Sequence, residues 1–206
     1  MNRKILIALK TLTWLVCLAP AGWLVWGAVN NTLGPDPTAA IAFATGLATL
    51  RLLAITLAIT PLRRLWPRLN WLIKFRRLLG LFAFFYGTLH MLTYVALYAG
   101  FNFATIETDV TKRRFIFAGV AAYTLLLPLA LTSTNWAIRK LGGKNWNRVH
   151  KLIYVSAVCA IVHYWWQVKP GVITPAAMTL VFAALFLARP VPAWKQRRKA
   201  KALATA

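Results

Sequence analysis

The sequence predicts an all-α fold: a polytopic membrane protein whose six transmembrane helices form one bundle, with both termini on the cytoplasmic side. Three observations lead there. Of 206 residues, 60% are hydrophobic and 14% charged, against roughly half and a quarter in an ordinary soluble domain. The charge is lopsided, with 25 Lys and Arg against 3 Asp and Glu, a net +22. These cations fall in short clusters between long apolar runs instead of covering a polar surface, which excludes a nucleic-acid binder despite the charge. Cys17 and Cys159 both lie inside apolar runs, so a disulfide-held secreted scaffold is excluded too.

Six stretches reach the about 20 helical residues that a hydrocarbon core demands. They are residues 10–30, 41–61, 78–99, 115–133, 150–168 and 173–190, within a single domain covering 1–206. The first follows Arg3, Lys4 and Lys10 as a signal peptide would. It is long, however, and carries Trp14, Trp23 and Trp26 without a clear cleavage site, so it reads as a retained anchor. The second holds Arg51. Between it and the third lies a basic connection, residues 62–77, with room for an amphipathic surface helix over 66–77. The third span carries His90, the fourth no charge, and the fifth runs from His150 past His163. The sixth leads into a basic tail, a solvated segment attracted to anionic membrane lipid. No internal repeat, nucleotide-binding glycine loop or low-complexity stretch is evident.

Orientation follows from the cations, which gather on cytoplasmic loops. With the N-terminus inside, twenty of them fall on inner segments and four, Lys112, Arg113, Arg114 and Lys169, on outer ones. All three acids (Asp36, Glu107 and Asp109) are outside. With no carboxylate in a span, a carboxylate-based proton or cation transporter is a poor fit.

The chemistry therefore rests on three histidines. His90 lies 12 residues beyond Leu78, and His163 lies 13 residues beyond His150. At about 1.5 Å per residue the two reach matched depths nearer the outer face. Imidazoles at one depth on different helices can ligate a metal from opposite sides, and the small neighbours Gly87, Thr88 and Ala160 leave room for a flat macrocycle. Bis-histidine haem is the natural occupant; zinc would need three or four clustered ligands. The competing reading is that each His packs against a helix and bonds a carbonyl. His150 is either a haem ligand or an interfacial, solvated side chain, since it is off the His163 face of a straight helix. Arg76 lies within about 40° of the His90 face. Arg76 and Arg77 either pair haem propionates or anchor the inner loop. Arg51 should face the bundle interior or snorkel, with a propionate or quinone as possible partner.

Two segments carry a specific likeness. Arg76-Arg77-Leu78-Leu79-Gly80 leading to Leu89-His90, and Trp146-Asn147-Arg148-Val149-His150-Lys151-Leu152 followed by His163-Tyr164, resemble the ferric-reductase-like transmembrane family. The resemblance extends nearly end to end, to bacterial inner-membrane members that serve periplasmic methionine sulfoxide reduction. It implies b-type haem, one or two, held by His90 and His163 with His150 in the haem-binding set. It also implies electron transfer to a periplasmic molybdopterin-containing reductase that repairs oxidised Met, from the quinone pool or a cytosolic flavin reductase, and bound FMN. Relatives with two haems carry two His on each of two helices, whereas here Arg76 stands where the fourth would fall. The flavin and nicotinamide domain of oxidase relatives is not part of this chain, so the electron donor would be separate. The alternatives are a self-sufficient membrane reductase acting on ferric iron or quinone, and a haem-free transporter or scaffold.

Overall fold

A computed structural model describes residues 2–168 and 171–189. Lys169, Pro170 and the basic tail from residue 190 onward lie outside the described residues. Eight α-helices run in order: α1 (Arg3–Val29), α2 (Pro37–Leu65), α3 (Ile73–Thr93), α4 (Phe103–Lys112), α5 (Arg114–Leu131), α6 (Asn135–Val149), α7 (Leu152–Gln167) and α8 (Thr174–Leu187). No strand occurs among the described residues. An all-helical chain is what an apolar solvent selects, because a helix satisfies its own backbone hydrogen bonds. Four segments are long and apolar enough to cross a membrane: Arg3–Val29, Pro37–Leu65, Pro67–Tyr98 and Arg114–Leu131. α7 and α8 are shorter apolar helices, at the positions of the fifth and sixth predicted spans.

Helix starts follow local chemistry. The Asp36 carboxylate accepts from Ala39 N at 2.9 Å ahead of Pro37, and the Asn102 side chain accepts from Ala104 N and Thr105 N. Such caps satisfy backbone donors that have no partner inside the helix. Buried threonines return their hydroxyls to the preceding turn, as Thr45 does to Ile41 O at 2.7 Å and Thr56 to Leu52 O at 2.7 Å, and so carry no unmet donor into the apolar interior.

Two helix pairs build the centre. α2 packs along α3, and α5 packs along α7, while α3 and α7 make little direct contact. The core lies where the pairs meet, around Leu53, Leu57, Ala83, Leu126, Ala157 and Phe182. α1 is attached through Tyr86, whose hydroxyl donates to Cys17 O at 2.6 Å and accepts from Ala21 N at 3.1 Å. That hydroxyl sits between a carbonyl and the amide four residues on, next to Pro20, where α1 can spare the bond.

Two expectations need correction. The surface helix over 66–77 is absent: a short 3₁₀ turn (Pro67–Leu72) leads directly into α3, because Pro67 resets the chain and the apolar run resumes at Leu72. The fifth span does not start at His150. It is preceded by α6, a polar helix kinked at Gly142 (φ 72°) that ends at Val149, and α7 begins at Leu152. In the outer loop, α4 forms a short amphipathic helix after a left-handed turn at Gly100 and Phe101, fixed where Asp109 accepts from Tyr94 Oη at 3.1 Å and pairs with Arg113 at 3.0 Å.

A paired-histidine candidate site

His90 on α3 and His163 on α7 face each other across the gap between the helix pairs, with ring centres 5.9 Å apart and planes crossed at 80°. Two nitrogens gripping one metal from opposite sides, each about 2 Å away, put imidazole centres on the order of 6 Å apart. The spacing therefore suits one shared metal. Each ring is oriented from behind by the partner helix of its own pair. His90 Nδ1 lies 2.9 Å from Ala42 O on α2, and His163 Nδ1 lies 2.6 Å from Phe115 O on α5. A carbonyl only accepts, so each Nδ1 is the protonated nitrogen and each Nε2 keeps its lone pair. This is the support that metal-binding histidines generally receive, fixing the tautomer and raising ligand basicity.

Glycine makes the close approach possible. A Cβ at Gly119 would come within 2.8 Å of His163 Nδ1, and one at Gly46 within 3.1 Å of His90 Cε1. Each glycine stands one helical turn beyond the supporting carbonyl, so the ring lies against bare backbone. The two half-sites also repeat. A shift of 73 residues carries Ala42 to Phe115, Gly46 to Gly119 and His90 to His163, with 48 residues between carbonyl and histidine in both. The sequence conceals this repeat because few positions are the same in the two stretches, Gly46 and Gly119, and His90 and His163, among them.

A planar, metal-centred macrocycle fits this setting. His90 and His163 would hold it through their free Nε2 atoms, and α3 and α7 make little direct contact beside them. Among the described residues no three His, Cys, Asp or Glu side chains cluster as a closed zinc site would require.

His150 is held elsewhere, in the turn between α6 and α7. Its ring stacks on Trp146 with centres 3.8 Å apart, and its Nε2 lies 3.2 Å from Thr132 Oγ1. The Thr132 hydroxyl already donates to Pro128 O at 2.5 Å, so His150 Nε2 must be the donor. Trp146 Nε1 in turn donates to Thr132 O at 2.9 Å. Arg76 is half-buried and within electrostatic reach of His150. Desolvation, with the nearby guanidinium as a smaller contribution, holds the His150 imidazole below its ordinary pKa. Arg77 is exposed and donates to Asn135 Oδ1 at 2.6 Å. Arg51 is exposed at mid-length of α2, not turned to the interior, and makes no hydrogen bond or ion pair among the described residues.

An all-α membrane bundle with paired, carbonyl-supported histidines defines a class that the comparisons specify. The chain matches the family described as ferric reductase like transmembrane component over residues 45–161, and it belongs to that family as an integral membrane protein. The matched region takes in α2 from Thr45, His90 and His150, and stops short of His163. The particular relatives are named protein-methionine-sulfoxide reductase heme-binding subunit MsrQ. One from Herminiimonas arsenicoxydans is 44% identical, covering 97% of this chain and 92% of the relative. Another from Ralstonia nicotianae is 46% identical over 80% and 75%, and one from Xanthomonas oryzae pv. oryzae is 44% identical over 92% and 88%.

Proposed function

We propose that this chain is the haem-binding electron-transfer subunit of a protein-methionine-sulfoxide reductase system, with one b-type haem between His90 and His163. The single observation that carries the reading is the His90–His163 pair, with ring centres 5.9 Å apart and each Nδ1 bonded to a backbone carbonyl, which leaves both Nε2 atoms free. The relatives' names agree with it. When bound, the haem supplies a one-electron relay. The protein's own part is preparatory. Ala42 O and Phe115 O hold the Nδ1 protons, so both imidazoles present lone pairs without reorienting, and their strengthened basicity favours the oxidised metal. The apolar walls exclude water and lower the reorganisation that accompanies electron transfer.

We read the basic end of the bundle as cytoplasmic, making six spans in the bacterial inner membrane with both termini inside. On that reading α3 runs outward and brings His90 toward the periplasmic face. A donor, the quinone pool or a cytosolic flavin reductase, would deliver electrons at the basic end. A periplasmic molybdopterin-containing reductase subunit would collect them at the end carrying α4. A second haem and FMN rest on the family resemblance alone, a haem role for Arg76, Arg77 or Arg51 rests on their place and charge in the sequence, and one for His150 on its place together with the resemblance, while the geometry supports one haem.

The test is spectroscopic. Protein purified in detergent should show a low-spin bis-imidazole spectrum, oxidised and dithionite-reduced, that His90→Ala and His163→Ala each abolish. A colourless protein, or both variants keeping the spectrum, would overturn the assignment.

A further inference from the structure

At the basic end of the bundle four arginines gather with no acidic side chain beside them among the described residues. Arg189, just past α8, lies within electrostatic reach of Arg76 and Arg64, and Arg76 within reach of Arg63. The chain's three acids, Asp36, Glu107 and Asp109, precede α2 or lie on α4, at the opposite end. No Asp or Glu side chain of the chain is therefore placed to balance them.

Arg189 is fixed in place on three sides. One Nη donates to Tyr154 Oη, and the guanidinium lies over that ring at 4.8 Å. The other donates to Leu57 O at 3.2 Å. Leu57 O is free because its helical partner would be Pro61, which has no N–H. Arg64 caps the arrangement by donating to Arg189 O at 3.1 Å. Arg189 Nε is buried and has no acceptor among the described residues, a costly state for a charged donor. The same residue lines an open groove of about 610 Å³ together with Tyr154, Val155, Val158 and Phe186. Val155 and Val158 are 51% and 49% exposed, which in a membrane bundle means that the groove opens toward lipid.

We propose that this groove between α7 and α8 binds one anionic phospholipid, its phosphate oxygens accepting from Arg189 and its acyl chain lying along Val155, Val158 and Phe186. An apolar wall running away from a fixed guanidinium with no acidic side chain beside it matches a lipid, which carries both an anion and a hydrocarbon tail. A free phosphate or a nucleotide-type anion would leave the wall unused. Basic pockets between membrane helices commonly hold such headgroups.

Native mass spectrometry of the full-length holoprotein, released from detergent after exposure to equal phosphatidylglycerol and phosphatidylcholine, tests this. Phosphatidylglycerol should stay bound in preference to phosphatidylcholine. Arg189→Gln should cut its retention roughly tenfold, the order expected when one charge-assisted hydrogen bond is lost. Val158→Trp, which fills the groove and keeps every cation, should also reduce retention, and it decides the matter if Arg189→Gln loses its haem spectrum. Arg139→Gln, an exposed cation on α6, should leave retention unchanged. Equal retention of both lipids, displacement by millimolar inorganic phosphate, or an equal loss in Arg139→Gln would each overturn the proposal.

Discussion

His90 and His163 differ from His150 in which ring nitrogen the protein has occupied. In the pair, backbone carbonyls take the Nδ1 protons and leave both Nε2 atoms as free lone pairs. At His150, a threonine hydroxyl whose own proton is committed to Pro128 O obliges Nε2 to donate. One arrangement offers ligands and the other finishes a hydrogen-bond chain. The residue type is the same in both places, so the lesson is that the acceptor behind an imidazole decides whether it can bind metal in front. The supports differ in kind as well. Helix carbonyls are rigid and always acceptors, whereas a hydroxyl is an acceptor only while something else takes its proton.

The largest effect expected from breaking this contrast is on haem content. His150→Ala should retain the main low-spin absorbance, while either substitution in the pair removes it; loss of all absorbance in His150→Ala would place His150 among the ligands of the same haem. Next comes Gly119→Ala. Its methyl group would sit 2.8 Å from His163 Nδ1, pushing the ring off Phe115 O, with an overpacking cost of about 1–3 kcal/mol. Faster haem transfer to an acceptor globin would measure it. Gly46→Ala should do less, since the His90 ring would be met at 3.1 Å and needs to yield only slightly. The crossed planes sharpen the same test. Imidazoles at 80° direct their π donation into different iron d orbitals and leave those orbitals nearly degenerate. The ferric protein should accordingly give a strongly anisotropic low-spin resonance, and Gly119→Ala should move it.

The apolar helices were readable because an apolar run of helix length has few other interpretations in a chain so poor in acids. Matched depth for His90 and His163 was readable for the same reason, by counting residues from the inner ends. Helices α4 and α6 were not. Both are short and polar, and their stability comes from where Asp109 and Trp146 are anchored, which depends on contacts distant in sequence. The supporting carbonyls were invisible because a carbonyl is common to every residue; Ala42 and Phe115 do not resemble each other. Gly46 and Gly119, placed alike ahead of His90 and His163, were the available signal. Helical counting did detect that His150 and His163 do not share a face, and the break at His150 and Lys151 is the reason. Of the two placements open to Arg51, interior-facing or snorkelling, its exposure removes the first. Counting places a residue at a depth, but which side of α2 it occupies depends on neighbours that α1 leaves uncovered.

A smaller effect should follow from removing the support at His150 while leaving the ring. Thr132→Val keeps the shape and deletes the acceptor, so His150 Nε2–H loses its partner in a partly buried place. An unsatisfied donor of this kind costs about 1–3 kcal/mol when fully buried, and the remaining exposure of His150 puts the expected loss at the lower end. Thermal unfolding should show that decrease while the haem spectrum and its resonance stay as in the wild type, because the His90 and His163 supports lie on other carbonyls. A changed spectrum in Thr132→Val would mean that the two regions are coupled through α5, the helix that carries both Phe115 and Pro128. Unchanged stability would mean that His150 turns to Nδ1 donation or to water, and that its clamp is Trp146 stacking alone.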